Sequence, residues 1–376
     1  MRCCLIAALT LIALTGHATA ASFDTKARHA YLVDLTTGTV LMEKASEARM
    51  PPASMSKLMT AYLVFERLKN GSLNLDDEFP ISKKASQKGG SRMFLSEGAR
   101  VKLEDLIRGI VIQSGNDACI VVAEGLAGSE EAFAKLMNAK AKMLGLVGSS
   151  FANATGWPDP NHYMTAKDLA TLAERLLQDF PEYYHYYSAR SFEYSGITQK
   201  NRNPVLDRVE GADGFKTGYT DDSGYGLTAS AERDGRRLIM VLNGLNSASE
   251  RASEAERILN WGFNAFGAYK LIRAGETVEI AEIWLGEKDA AALVMDKDLT
   301  VTLPRASRQN LKVVVRYDGP VPAPVYKGER LGSIIVTAPN IEPIERPLHV
   351  AETVERVGPV GRVLETVNAM IGGAWR

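Results

Sequence analysis

Two patterns of hydrophobic and polar positions follow one another along the chain. Between about Ala30 and Phe266, strand-like segments at both ends bracket a long middle region with helical spacing. The predicted strands are YLVDL, TVLMEK, YGLTASAE and RRLIMVLNG, and the predicted helices span Ser54 to Lys69, Leu103 to Gln113, Asp117 to Leu126, Glu130 to Leu144, Thr165 to Gln178 and Glu250 to Phe266. Strands at the two ends with helices between them predict an α+β domain whose sheet is assembled from both ends of this region.

From about Tyr269 to Glu352 the pattern changes to short β-rich runs separated by Gly, Pro, Asp and Asn turns. This predicts a second, smaller all-β domain, and the absence of an evident nucleophile motif favours a spacer or docking module. The predicted division of the chain is a signal peptide at 1–20, an α+β domain at 21–267, an all-β domain at 268–353 and a C-terminal amphipathic helix at 354–376.

The two ends of the chain carry targeting features. A positive residue, an apolar run of about ten residues and the small-x-small triplet Ala18-Thr19-Ala20 predict a cleaved signal peptide. A retained membrane helix is the alternative, but the run is shorter than the roughly 20 apolar residues that span a bilayer. From Val357 to Arg376, apolar residues share one helical face, which predicts a helix lying in the membrane interface with Trp375 at headgroup depth. Docking of that helix on the second domain is the other interpretation.

Composition removes several classes of function. The formal charge of the 376 residues is -1 and no long basic block is present, so bulk electrostatics do not favour nucleic acid as a partner. Cleavage after Ala20 would leave Cys119 as the single cysteine, in an apolar helical stretch where a buried inert thiol is expected. The five histidines show no metal-ligand spacing, so no metal or other cofactor is expected, and His162 is interpreted as a loop-packing residue.

The first motif with catalytic potential is Ser54-Met55-Ser56-Lys57, which runs directly into helical spacing. Residues three apart share a helix face, so the Lys57 amine can reach the Ser54 hydroxyl. A serine hydroxyl needs a neighbouring base to become a good nucleophile. Lysine can be that base only when neutral, which requires burial or a nearby cation to lower its pKa from about 10.4. On its own, this spacing also fits an N-cap serine followed by a solvated lysine.

Two further motifs complete an ordered set. Ser114-Gly115-Asn116 lies at the junction of two predicted helices, where Ser114 could relay a proton and Asn116 could hydrogen-bond a substrate amide. Lys216-Thr217-Gly218 precedes the Tyr225 strand. On a strand edge it offers a second cation, a hydroxyl for a carboxylate and room for a substrate backbone.

In this order and at about 60 and 100 residues' separation, the three motifs resemble those of penicillin-binding proteins and serine β-lactamases. The surrounding sequences ASMSKLMT, SGNDAC and DGFKTG narrow the resemblance to the low-molecular-mass D-alanyl-D-alanine carboxypeptidases, the penicillin-binding protein 5 family. The resemblance covers essentially the whole mature chain. It implies a β-lactamase/transpeptidase-like first domain, peptidoglycan stem peptides and β-lactam antibiotics as partners, and attachment to the outer face of the inner membrane in the periplasm.

The resemblance also implies a role for each motif residue. Ser54 would form the acyl-enzyme and Lys57 would accept its proton, while Ser114 would move a proton towards the leaving amine. Asn116 would orient the substrate amide. The terminal carboxylate would be held by Lys216 and Thr217, with the backbone N–H groups of Ser54 and Tyr219 forming the oxyanion hole. Tyr219 stands where some members carry His or Thr. Gly115 stands where the Ser-Asp-Asn form of the second motif has Asp.

Three alternative functions share these residues. A serine β-lactamase needs a rapid route for water to the acyl-enzyme, which class A enzymes provide with a glutamate. No Glu-x-x-Leu-Asn segment lies between Ser114 and Lys216. A D,D-endopeptidase that cuts cross-links would use the same catalytic residues. A non-catalytic wall-binding or β-lactam-sensing protein would acylate without turnover.

Overall fold

The computed structural model describes residues 23–339 and 341–358. The predicted signal peptide lies outside the described residues, as does the predicted C-terminal helix from residue 359 onward. At the start of that predicted helix, Val354 and Arg356 form isolated β-bridges with Val325 and Gly286 of the second domain. Within the described part of the chain, no helix combines the length and the apolar character needed to cross a membrane.

Among the described residues, the first domain contains nine strands and eight α-helices. The strands are β1 (His29–Asp34), β2 (Thr39–Lys44), β3 (Glu78–Pro80), β4 (Arg100–Lys102), β5 (Ser191–Tyr194), β6 (Ile197–Lys200), β7 (Ala212–Thr220), β8 (Gly224–Arg233) and β9 (Arg236–Leu245). The helices are α1 (Lys57–Lys69), α2 (Lys83–Ser86), α3 (Leu103–Arg108), α4 (Asn116–Ala127), α5 (Glu130–Met143), α6 (Ala166–Asp179), α7 (His185–Ser188) and α8 (Ala248–Ala265).

A five-stranded antiparallel sheet organises this domain, with the order β2-β1-β9-β8-β7. The sheet therefore joins the two ends of the region around the helices, and the predicted α+β fold is confirmed. Helix α8 packs on one face through Ile258 and Leu259, and its first turn is capped by Ser247, whose hydroxyl accepts a hydrogen bond from Glu250 N. The remaining helices form the larger core on the other face, around α4, whose first eight residues are buried.

The helix boundaries differ from the predictions at two functionally placed points. The stretch predicted as one helix from Ser54 begins as a 3-10 turn, Ala53–Ser56, before α1. The stretch predicted as a helix to Gln113 changes after α3 into a π-helical segment, Gly109–Gln113, which is followed by Ser114 in a left-handed conformation. Short π-helical segments often occur near functional sites.

The second domain is all-β, as predicted. Its strands are β10 (Phe266–Ile272), β11 (Thr277–Trp284), β12 (Ala290–Val294), β13 (Leu299–Pro304), β14 (Lys312–Tyr317), β15 (Val321–Pro322), β16 (Arg330–Thr337) and β17 (Ile344–Val350). Six of them form a sheet in the order β14-β16-β17-β12-β11-β15, and β10 pairs with β13. A separate apolar cluster fills this domain.

A buried ion pair of the first domain, Asp34 with Arg236, makes hydrogen bonds to the second domain. Asp34, at the end of β1, is fully buried, and its Oδ2 accepts hydrogen bonds from Arg236 Nε at 2.6 Å and from Thr302 Oγ1 at 2.9 Å. Arg236 Nη1 also donates to the carbonyl oxygen of Phe266. One carboxylate thus links β1 and β9 of the first domain to β13 of the second.

Candidate active site

Ser54 and Lys57 lie next to each other at the start of α1. Lys57 Nζ is hydrogen-bonded to Ser54 Oγ at 2.7 Å and donates to the carbonyl oxygen of Thr155 at 2.6 Å. Only 1% of Lys57 is exposed, whereas Ser54 is half-buried and lines a cleft. The amine is therefore held away from water, and the hydroxyl faces the space that a ligand would occupy.

Two glycines allow the backbone to close around the 3-10 turn that carries Ser54. Gly156 has φ +79°, and a Cβ there would lie 1.9 Å from the carbonyl oxygen of Ala53. A Cβ on Gly218 would lie 2.8 Å from the carbonyl oxygen of Pro52. Ala53 itself has φ 49°, an uncommon conformation for a residue with a side chain. The position of Ser54 thus depends on close backbone contacts from two other segments.

The surroundings of Lys57 lower the pKa of its amine. Burial lowers its pKa to about 8, and the positive charges of Arg202 and Lys88 act in the same direction. Burial also raises the pKa of the Cys119 thiol to about 12, so this thiol is neutral near pH 7. The nearby Asp117 accepts hydrogen bonds from three backbone N–H groups, including Met93 N at 3.0 Å. Lys57 can therefore lose its proton at a far lower pH than a solvated lysine.

The second motif enters the site from the end of the π-helical segment. Ser114 has φ 68°, and its buried Oγ has no hydrogen-bond partner among the described residues. Asn116 begins α4, and its Nδ2 donates to the carbonyl oxygen of Gly89 at 2.8 Å. A buried hydroxyl without a partner, next to a cleft, is available to a ligand or a proton in transit.

The third motif lies on β7, which is the edge strand of the sheet. Lys216 is 2% exposed, and its Nζ donates to the carbonyl oxygen of Thr217 at 3.2 Å. Burial, followed by repulsion from Lys57 and Arg202, lowers the pKa of Lys216 well below its ordinary value. The sequence predicts one neutral lysine and one cation, whereas in the structure the pKa of both amines is lowered.

Six of the eight motif residues singled out from the sequence line one cleft with a volume of about 910 Å³: Ser54, Ser114, Asn116, Thr217, Gly218 and Tyr219. Lys57 is joined to the cleft through Ser54, and Lys216 precedes Thr217 on β7. The structure therefore brings together the three motifs that the sequence separates by about 160 residues. Tyr219 is 49% exposed at the cleft, and its hydroxyl donates to Asp221 Oδ1 at 2.8 Å.

Sequence reasoning missed two arginines that also line this cleft. Arg202 follows β6, and its Nη1 donates to Ser91 Oγ at 2.6 Å. Arg251 lies in the first turn of α8, over the ring of Tyr225, and its Nε is buried without a partner among the described residues. No local pattern distinguishes these arginines from surface ones, because only the fold brings them to the cleft.

His162 was singled out from the sequence as a residue that packs in a loop. His162 is 4% exposed, packs edge-on against Phe151, and lies in a loop beside the cleft rather than in it. Burial lowers its pKa to about 4, which makes it neutral near pH 7. Among the residues described, no group of three or more His, Cys, Asp or Glu side chains is arranged to hold a metal ion.

A serine hydroxyl hydrogen-bonded to a buried lysine amine, in a cleft at the edge of the sheet, is the arrangement expected of an enzyme whose nucleophilic serine is activated by a lysine. The family described as D-alanyl-D-alanine carboxypeptidase matches residues 15–247, and the family described as penicillin-binding protein 5, C-terminal domain, matches residues 266–356. The chain belongs to the D-alanyl-D-alanine carboxypeptidase family and is a serine peptidase.

Relatives match over nearly the whole length. The D-alanyl-D-alanine carboxypeptidase DacC of Escherichia coli is 38% identical over 91% of this chain and 87% of its own. The structure of penicillin-binding protein 5 from Haemophilus influenzae superposes with a TM-score of 0.79 at 32% identity, over 89% of this chain and 98% of that one. Penicillin-binding protein D2 from Listeria monocytogenes, solved in its ampicillin-bound form, has a TM-score of 0.59 at 30% identity and covers 64% of this chain and 98% of its own.

Proposed function

We propose that this protein removes the terminal D-alanine from peptidoglycan stem peptides ending in D-Ala-D-Ala, through an acyl-enzyme at Ser54. The observation that carries the proposal is the 2.7 Å hydrogen bond between Ser54 Oγ and the Lys57 amine, whose pKa burial lowers to about 8. Membership of the carboxypeptidase family supports the substrate class. The ampicillin-bound relative supports covalent reaction with β-lactams, which present a similar acyl group to the serine.

In the acylation step, Ser54 Oγ attacks the carbonyl carbon of the penultimate D-alanine and passes its proton to Lys57 Nζ. The oxygen that becomes negative is stabilised by the backbone N–H groups of Ser54 and Tyr219. The carbon–nitrogen bond to the terminal D-alanine then breaks. Ser114 relays the proton that Lys57 accepted to the departing amine, so D-alanine leaves, the Lys57 amine is neutral again and the peptide stays on Ser54 as an ester.

Substrate is positioned by charge and by the edge strand. Lys216 and Thr217 bind the terminal carboxylate, with Arg251 adding a second positive charge to the same cleft. Asn116 holds the amide of the acyl portion, and Gly218 lets the peptide backbone approach β7. Water attacks the ester in the second step, which returns the Ser54 hydroxyl and frees the shortened peptide.

The decisive experiment is incubation with diacetyl-Lys-D-Ala-D-Ala and an assay of free D-alanine, with the Ser54→Ala variant as control. Release by the wild type alone supports the proposal, and no release would favour a non-catalytic β-lactam-binding protein. The lifetime of the penicilloyl adduct separates the β-lactamase alternative: minutes or longer is expected, whereas sub-second turnover contradicts the proposal. Cleavage of cross-linked dimers, compared with pentapeptides, measures any endopeptidase activity.

We also propose that the protein is exported to the periplasm and is held at the inner membrane by its C-terminal segment. The support is the signal-peptide pattern at residues 1–20 and the apolar face of the tail. Deleting residues 359–376 should move the protein from the membrane fraction to the soluble periplasmic fraction with peptidase activity retained. Continued membrane association of the truncated protein would contradict the anchor.

A further inference from the structure

A second cavity, of about 550 Å³, lies beside the catalytic cleft. It extends from the segment before Ser54 to the loop that begins at Gly156, and the two spaces share five lining residues: Gly156, Trp157, Pro158, Thr220 and Asp222. A peptide bound at Ser54 could therefore enter this cavity without leaving the protein surface. None of the catalytic roles proposed above uses it.

The direction of β7 indicates which part of a substrate would reach the cavity. On the proposed function, the terminal carboxylate lies at Lys216 and Thr217, and the reacting carbonyl lies at Ser54, beside Gly218. The rest of the peptide then continues along Tyr219 towards Thr220. Since an extended chain advances about 3.3 Å per residue, the residue that precedes the two D-alanines lies next to the cavity.

The charged lining of the cavity is predominantly acidic. Asp159 and Asp222 are exposed, and among the described residues neither carboxylate is paired with a lysine or arginine. Asp159 Oδ1 accepts a hydrogen bond from Asn161 N. Arg49, the one cation of the lining, lies over the ring of Tyr163 at 4.5 Å. Outside the lining, Arg28 Nη2 donates to the backbone carbonyl oxygen of Asp222 at 3.3 Å. Within the lining, two carboxylates and one guanidinium favour a cationic ligand group.

A buried polar atom of the lining also lacks a partner. His162 is 4% exposed, and its Nδ1 accepts a hydrogen bond from Ala152 N at 3.3 Å. The neutral ring therefore carries its proton on Nε2, which is buried and has no acceptor among the described residues. A donor without an acceptor matches the carbonyl oxygen of a ligand.

The remaining lining is apolar and suits a long aliphatic stem. Trp157 is 44% exposed at the junction of the two spaces, with Lys88 Nζ 4.5 Å from its ring centre. Pro158 and Pro160 extend this surface towards Asp159. An apolar wall that leads to carboxylates complements a side chain with methylene groups and a terminal ammonium.

We propose that this cavity is a subsite for an ammonium-bearing side chain on the stem-peptide residue that precedes the two D-alanines, with Asp159 and Asp222 as its counter-charges. The proposal rests on the carboxypeptidase function proposed above. It adds a preference among stem peptides, because the subsite discriminates a free side-chain amine from an acylated one. The catalytic steps themselves are unchanged.

The test compares two peptides that differ only in the charge of this side chain: Nα-acetyl-Lys-D-Ala-D-Ala and its Nα,Nε-diacetyl form. The measurement is kcat/KM for D-alanine release by the full mature chain. Because ion pairs at exposed carboxylates are weak and screened by salt, we expect a preference of about threefold to tenfold for the free amine, decreasing at high ionic strength. Equal rates on both peptides would overturn the subsite and leave the carboxypeptidase function standing.

Substitutions in the cavity test whether the preference for the free-amine peptide depends on Asp159 and Asp222. The double variant Asp159→Asn with Asp222→Asn should bring the ratio of the two kcat/KM values close to unity, whereas Asp234→Asn, in the remote turn between β8 and β9, should keep the wild-type ratio. The variant Asp222→Lys should favour a succinylated lysine peptide instead. A ratio that survives the double substitution overturns the assignment, and release of D-alanine from neither peptide by the wild type overturns the proposed function together with the subsite. Penicillin labelling of each variant verifies that its catalytic site is folded.

Discussion

The pH dependence of acylation follows directly from the burial of Lys57. With a pKa of about 8, about one-tenth of the Lys57 amines are neutral at pH 7 and about nine-tenths at pH 9. If the neutral amine accepts the proton of Ser54, the acylation rate at saturating penicillin should rise about tenfold over this interval and then level off. Intact-mass measurement of the penicilloyl adduct after rapid quenching gives the rate at each pH.

A variant of Arg202 tests whether the charge of this residue contributes to the low pKa of Lys57. Arg202 helps to lower the pKa of Lys57, so Arg202→Gln should move the midpoint of the pH profile upward. Arg233→Gln, at the end of β8 where it contacts Asn260, removes an equal charge and should leave the midpoint unchanged. The midpoint is the diagnostic quantity, because Arg202 also lines the cleft and its loss can change binding. A profile that is flat from pH 6 to pH 9, or a midpoint that moves downward, would refute the reasoning.

Four other outcomes follow from the structure. Ser54→Ala should abolish penicillin labelling, and labelling that persisted would move the nucleophile elsewhere. Lys57→Arg should nearly abolish it, because a guanidinium stays protonated and cannot act as the base; near-normal acylation rates would contradict this role. Asp34→Asn should lower the free energy of unfolding in urea by about 3 kcal/mol, because it leaves Arg236 buried without its counter-charge; a loss below about 1 kcal/mol would show that the pair is dispensable. Gly156→Ala should slow acylation at least tenfold, since its Cβ would collide with the carbonyl of Ala53, and a normal rate would show that the loop relaxes.

The sequence was sufficient to predict the three motifs that meet at the cleft, because their signals are local. The spacing of Ser54 and Lys57 places both on one helical turn, and the alternation around Tyr225 identifies the strand that pairs with β7. The second domain was recognisable from its turns and short β-rich runs. These features depend on residues close together in the chain, so they can be predicted without knowledge of tertiary contacts.

The features that the sequence could not reveal depend on tertiary contacts. Arg202 and Arg251 come from a loop and from a helix start, and only the folded sheet brings them to the same cleft as Ser54. The sequence predicts an ordinary α-helix for the π-helical segment before Ser114, because the apolar positions of this segment keep helical spacing. The hydrogen bond from Lys57 to the carbonyl oxygen of Thr155 could not be predicted either, since any residue type can supply a backbone carbonyl.

Because the pKa of both Lys57 and Lys216 is lowered, a bound carboxylate would change the protonation of both amines. Burial lowers the pKa of both amines, and repulsion from Lys57 lowers that of Lys216 further. A carboxylate bound at Thr217 would stabilise the protonated form of Lys216 through an opposite charge at close range. Once Lys216 is cationic, its charge favours loss of the proton from Lys57, because the interaction between two titrating groups is reciprocal. A substrate with a free carboxyl end would thereby keep Lys216 positively charged, and the repulsion from that charge acts to lower the pKa of Lys57.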